Sequence, residues 1–115
     1  MAAKLFGLKA CDTCRKALKA FEGAGKSVTF HDVRADGVAM ADLKTWAKAV
    51  DWQVLLNTRS TTWRGLDDSQ KADLDEGKAL ALMLEYPTLI KRPVIVANKS
   101  ITVGWSKDTQ NLYGV

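Results

Sequence analysis

Cys11-Asp12-Thr13-Cys14 stands between a short apolar run, Lys4-Leu5-Phe6-Gly7-Leu8, and a stretch from Arg15 to Ala24 that reads as a helix. This order constrains the fold more than any other feature, because it sets a strand, a tight turn and a helix in succession. It also puts the first sulfur at the turn. Backbone N–H groups that open a helix lack partners within it, and the helix dipole adds positive potential there. A sulfur so placed is favoured as thiolate over thiol. The thiolate is the nucleophile in disulfide exchange and in attack on oxyanions, so the pattern points to cysteine redox chemistry with Cys11 as nucleophile. Lys9 and Arg15 are close enough in sequence to stabilise its anion or bind an anionic substrate. Thr13 offers a hydroxyl to a substrate or to the helix start. Cys14 shares a helical face with Leu18 and Phe21, so packing competes with a role as resolving thiol.

Composition narrows the setting. A chain of 115 residues reads as one domain with enough core to dispense with disulfides. Two cysteines three positions apart form no disulfide framework, and with His31 as the single histidine they are too few for a tetrahedral zinc site; no metal is expected. The start, Met1-Ala2-Ala3-Lys4, lacks the apolar segment of a secretory signal, and nothing approaches a membrane span. A cytoplasmic, reducing location follows, where a C-x-x-C is catalytic or redox-sensing rather than structural. The net charge of +4 is dispersed along the chain, which argues against nucleic-acid binding. It suits an anionic small partner such as glutathione or an oxyanion.

The periodicity gives a strand over Lys4–Leu8, a helix ended by Gly23 and Gly25, and an alternating strand over Ser27–Val33 with Val28 and Phe30 inward. A helical middle follows: Val38–Val50, a turn at Trp52–Leu56, Asp67–Leu74 opened by an Asp67-x-x-Gln70 capping box, and Glu76–Tyr86 with Leu80, Met83 and Leu84 inward. Asn57–Gly65 reads as a polar loop. Pro93–Ala97 and Ser100–Val103 form a hairpin across Asn98-Lys99, and Ser106–Tyr113 a last helix. The sum is an α/β, thioredoxin-like fold in one domain over 1–115, with a mixed sheet of about four strands and a helical insertion at 38–86.

Two arginines extend the candidate site. Arg92 precedes Pro93 at the opening of a strand; in thioredoxin folds such a proline is typically cis and faces the cysteine. Arg59 lies in the polar loop. Arginine suits bidentate capture of a carboxylate or oxyanion, although nothing in the composition makes the two converge. Trp63, in the same loop, is the tryptophan placed to flank a substrate, and His31 reads as a strand-edge residue rather than a general base.

Several strings together resemble the arsenate reductase/Spx family, nearest its YffB-like branch. The cysteine turn is Leu5-Phe6-Gly7-Leu8-Lys9-Ala10-Cys11-Asp12-Thr13-Cys14-Arg15-Lys16-Ala17, and Phe30-His31-Asp32-Val33-Arg34 is similar to the second strand. Leu55-Leu56-Asn57-Thr58-Arg59-Ser60-Thr61-Thr62-Trp63-Arg64, Ile90-Lys91-Arg92-Pro93-Val94-Ile95 and Val103-Gly104-Trp105 cover the arginine segments and the last strand. The resemblance implies a catalytic Cys11 with Arg59 and Arg92 around it, and glutathione or glutaredoxin as the thiol partner. In such arsenate reductases three arginines surround the site; the third position here holds Trp105-Ser106-Lys107. The implied activity is a glutathione-dependent thiol reductase. Alternatives are a glutaredoxin-coupled arsenate reductase, or an Spx-like regulator that binds the RNA polymerase α subunit and uses its C-x-x-C as a redox switch.

Overall fold

The computed structural model describes residues 2–97 and 100–115. Strand β1 (Ala2–Gly7) turns into helix α1 (Asp12–Gly23), and β2 (Ser27–Asp32) returns parallel to β1. Helices α2 (Met40–Val50), α3 (Trp52–Leu55), α4 (Thr61–Arg64), α5 (Asp68–Lys71) and α6 (Glu76–Glu85) follow, then a 3₁₀ turn at Pro87–Leu89. Strands β3 (Val94–Ala97) and β4 (Ser100–Val103) pair antiparallel, and α7 (Lys107–Tyr113) ends the chain. The sheet order is β2-β1-β3-β4, with β1 parallel to β2 and antiparallel to β3. This is the mixed α/β arrangement that the sequence predicts. Two compact units result, one of residues up to Asp36 with Arg92–Val115, the other Gly37–Lys91.

In the first unit the pairings Ala3↔Ala97 and Leu5↔Ile95 put four apolar side chains on one sheet face. Cys14, Ala17 and Phe21 from α1 and Tyr113 from α7 close over them to make the core. The burial follows from helical spacing, since positions 14, 17 and 21 repeat on one stripe. Helix α1 ends where Gly25 takes φ +70, and the Lys26 and Gly25 N–H groups bond back to the Phe21 and Glu22 carbonyls. That is a Schellman ending, which needs a residue tolerant of the left-handed region.

The second unit is helical. Leu43, Trp46 and Ala47 of α2 are buried, and α2 packs on α3 and α6. A β-bridge between Leu56 and Ile90 ties the entrance of the polar loop to the segment before Arg92.

Several boundaries differ from expectation for physical reasons. Helix α1 starts at Asp12 rather than Arg15, because Cys11 is its N-cap and the Arg15 N–H already bonds to the Cys11 carbonyl at 3.0 Å. Strand β1 ends at Gly7 rather than Leu8, whose carbonyl accepts the Cys11 N–H to form the turn. Val28 and Phe30 are only half-buried because β2 is an edge strand, and His31 is half-buried with its ring 5.2 Å from Phe6. The Asp67–Gln70 capping box forms, but its helix stops at Lys71, since Ala72 is extended and Asp73 takes a positive φ. Leu84, expected inward, is 41% exposed; Ala79 and Leu82 join Leu80 and Met83 on the buried stripe instead. The expected loop over Asn57–Gly65 contains α4, capped by Ser60. The Asn98-Lys99 turn lies outside the described residues.

Phe21 is fully buried with ring centroids 6.1 Å from Trp105 and 5.6 Å from Tyr113. Phe21→Ala is expected to lower stability by about 3–5 kcal/mol, read from the urea midpoint. Leu112→Ala, at a position 59% exposed, should stay within about 0.5 kcal/mol of wild type.

Candidate active site

The turn from Leu8 to Cys11 is fixed by hydrogen bonds to both its peptide edges. The Cys11 N–H donates to the Leu8 carbonyl at 3.1 Å. The Lys9 N–H donates to Asp32 Oδ2 at 3.1 Å, and the Lys9 carbonyl accepts from Arg15 Nε at 2.9 Å. Asp32 is nearly buried, and its Oδ1 also accepts the Arg34 and Ala35 N–H groups at 2.9 Å each. Above all the Ala35 N–H, aided by those of Lys9 and Arg34, holds this carboxyl below its ordinary pKa despite burial. In the sequence Asp32 stands only within the second-strand string Phe30-His31-Asp32-Val33-Arg34, with no role assigned to it. The available signal was an Asp closing a strand, a residue type that hydrogen-bonds backbone a few positions on.

Both cysteines are free thiols, Cys11 half-exposed and Cys14 fully buried. Partial burial is the strongest single influence on Cys11 and opposes its thiolate. The backbone N–H and thiol of Cys14, with the guanidinium and charge of Arg92, outweigh it, and the pKa falls below the ordinary value. Cys14 goes the other way. Burial dominates, the N–H of Leu8 opposes it only in part, and the neighbouring Cys11 sulfur adds to the rise; the thiol is raised to about 11. Cys14 is therefore a donor to the Cys11 thiolate as the structure stands.

Arg92 and Pro93 share the first unit with the cysteines. The Arg92–Pro93 peptide is cis and Pro93 is fully buried. The cation acting on Cys11 is Arg92, whereas Arg15 spends its guanidinium on the Lys9 carbonyl and lies 3.8 Å from Asp12. The Lys9 and Thr13 side chains are exposed, as is Lys107 at the start of α7.

Arg59 and Trp63 belong to the second unit. Asn57 Oδ1 accepts the Arg59 N–H at 3.0 Å, Ser60 Oγ donates to the Asn57 carbonyl at 3.1 Å, and Ser60 Oγ accepts the Trp63 N–H. The side chains that read as a polar loop thus hold the loop's own backbone. Exposed Arg59 lines an open cavity of about 390 Å³ with Gln53, Asn57, Thr58 and Lys91. Trp63 is half-buried with the Lys71 ammonium 5.4 Å from its ring centroid. Among the described residues no three His, Cys, Asp or Glu side chains gather as metal ligands, and no helix is long and apolar enough to cross a membrane.

Gly7 is the tightest point. A Cβ there would collide with the Cys14 sulfur and crowd its Cβ. Gly7→Ala is expected to destabilise the protein by about 1–3 kcal/mol. The double variant Gly7→Ala/Cys14→Ala should be less destabilised than the sum of the single variants, a coupling that a double-mutant cycle in urea reads directly.

Residues 6–111 match the ArsC family. Among curated relatives, an uncharacterised protein of Haemophilus influenzae is 41% identical over 103 residues, 90% of each chain. The global transcriptional regulator Spx of Staphylococcus aureus is 25% identical over 90% of this chain and 80% of its own. Among solved structures, a YffB protein superposes with a TM-score of 0.91 at 42% identity, covering 96% of each chain. An arsenate reductase (ArsC) related protein from Brucella melitensis gives a TM-score of 0.76 at 34% identity, covering 99% of this chain and 95% of its own. A match over nearly the whole chain, with the cysteine turn and the arginine–proline strand both inside it, makes this protein a member of the ArsC family.

Proposed function

We propose that the protein is a glutathione-dependent thiol reductase, with Cys11 as its nucleophile and Arg92 as the cation that holds the nucleophile as thiolate. The observation that carries this reading is the opposed tuning of two neighbouring sulfurs, one lowered by Cys14 and Arg92, the other raised by burial. The Cys11 thiolate attacks one sulfur of a glutathione mixed disulfide. The S–S bond breaks, the departing thiolate takes a proton from water, and Cys11 is left joined to glutathione. A second glutathione thiolate then attacks the sulfur of the bound glutathione, releasing oxidised glutathione and regenerating the Cys11 thiolate. The net exchange consumes one glutathione thiol, which is oxidised as the departing sulfur is reduced and whose proton replaces the one that sulfur took up. The other half of the oxidised glutathione was already in the mixed disulfide. Glutathione rather than Cys14 is the resolving thiol in this scheme, because burial of Cys14 disfavours its thiolate.

Arg59 enters through the family resemblance as a second anion-holding arginine. Lys9, Thr13, Arg15, Trp63 and Pro93 remain candidates for substrate contact on the same ground. An exposed guanidinium on a loop whose backbone is fixed by Asn57 and Ser60 suits a carboxylate-bearing substrate. A cytoplasmic location supplies the glutathione that the scheme consumes.

A second reading is favoured by the C-x-x-C itself and by the likeness to Spx: a redox-responsive regulator that binds the RNA polymerase α subunit. Co-purification with that subunit and no turnover would support it. Arsenate reduction coupled to glutaredoxin is a third reading, drawn from the family; it would appear as arsenate-dependent oxidation of glutathione.

With the mixed disulfide of glutathione and 2-mercaptoethanol as substrate, wild type should turn over and Cys11→Ser should lose all activity. Cys14→Ser should retain turnover, and Arg92→Ala should lose roughly 10²-fold in kcat/KM. Full activity in Cys11→Ser would sink the assignment. Because alkylation requires thiolate, its rate rises with pH through the Cys11 pKa. Removing the Arg92 charge should therefore move the iodoacetamide midpoint to higher pH. For Arg59→Ala the expected change is a raised KM for anionic disulfides with kcat held.

A further inference from the structure

Asp32 has a task beyond closing β2. Register puts it opposite Gly7 on the parallel neighbour strand, at the point where β1 gives way to the cysteine turn. Its two oxygens are divided between two jobs. Oδ1 accepts the Arg34 and Ala35 N–H groups and shapes the turn that leaves β2, while Oδ2 reaches across to the Lys9 N–H. Lys9 is then held from both sides, since its carbonyl takes Arg15 Nε. The residue before it is held as well, because the Leu8 carbonyl takes the Cys11 N–H and its N–H faces the Cys14 sulfur. The segment that presents Cys11 therefore rests on one nearly buried carboxylate reached from a strand far away in sequence.

We propose that Asp32 is a positioning residue for the Cys11 thiolate: by fixing the Lys9 peptide it sets where the Cys11 sulfur meets the Cys14 N–H and Arg92. The proposal rests on Cys11 being the nucleophile, but not on the identity of its substrate. A carboxylate is needed rather than an amide because three N–H donors converge on two oxygens. In Asp32→Asn a single acceptor remains. Two bonds against one keep that oxygen on Arg34 and Ala35, leaving the amide NH₂ facing the Lys9 N–H, donor against donor. The variant thus loosens the cysteine turn while the exit of β2 stays shaped.

The test is iodoacetamide alkylation of Cys11 as a function of pH, which needs no turnover and so stands apart from the reductase reading. All proteins carry Cys14→Ser so that one sulfur reports. Asp32→Asn should move the midpoint to higher pH and slow alkylation at neutral pH about 10-fold. A stability control, Tyr113→Phe, removes a hydroxyl bonded to Thr102 at 2.9 Å and to the Ile95 carbonyl at 3.3 Å, neither of them in the cysteine turn; its midpoint should not move. An unmoved midpoint in folded Asp32→Asn, or equal movement in both variants, overturns the proposal. If Asp32→Asn does not fold, amide hydrogen exchange of wild type decides. Protection of Lys9 N–H matching the Arg34 and Ala35 amides is expected, and free exchange at Lys9 would overturn the proposal.

Discussion

The close approach of Gly7 to Cys14 is the constraint on which the cysteine turn depends. A β-strand ending in any residue with a side chain would push the first turn of α1 away from the sheet, since a Cβ at position 7 would fall on the Cys14 sulfur. With hydrogen in that place, Cys14 drops fully into the core beside Leu5, Ala17 and Phe21. The same glycine pairs with Asp32, and its carbonyl accepts the Val33 N–H. One missing side chain thus lets the helix sit close, and the ladder then brings the Asp32 carboxylate under the Lys9 peptide.

Two sulfurs one helical turn apart respond oppositely to the same surroundings, and the reason is exposure. Both feel Arg92, and both lose hydration on burial. Half-exposed Cys11 suffers less of that loss and collects donors from Cys14 and Arg92. Fully buried Cys14 has the Leu8 N–H and a weak pull from Arg92, and it also sees the neighbouring sulfur as a negative charge. Holding one proton on Cys14 while Cys11 is bare is the arrangement of lower energy, because the thiol then donates to the thiolate. The pair behaves as one unit with a defined proton location.

How much of this was legible in the sequence depended on how local the physics is. The C-x-x-C at the mouth of a helix is read within a few residues, and so is the tuning of Cys11 by helix-start N–H groups. The Asp67–Gln70 capping box and the burial of Cys14 with Phe21 follow from spacing alone. Leu84 was misplaced because the apolar residues over positions 79–84 are nearly continuous, and periodicity cannot choose which of them face inward. The role of Asp32 lay out of reach for another reason: its partner Lys9 is joined to it only through the β1–β2 register, which no local pattern displays. Likewise α4 was hidden in a run of Asn, Thr and Ser, since those side chains act on their own backbone and leave no hydrophobic period.

Arg92 shows why a guanidinium is well suited to the strand entrance. One peptide before it, the Lys91 N–H bonds to the Leu55 carbonyl at 2.7 Å. On the other side the buried Pro93 presents its carbonyl to the Gly104 N–H at 2.9 Å. With the backbone held at both ends, only the side-chain torsions remain to be ordered. A planar fork loses less freedom per hydrogen bond than a lysine stem would. A lysine at this position would keep the sign of the field but lose the directed guanidinium N–H. For a thiolate that must remain both ionised and aimed, direction counts as much as charge.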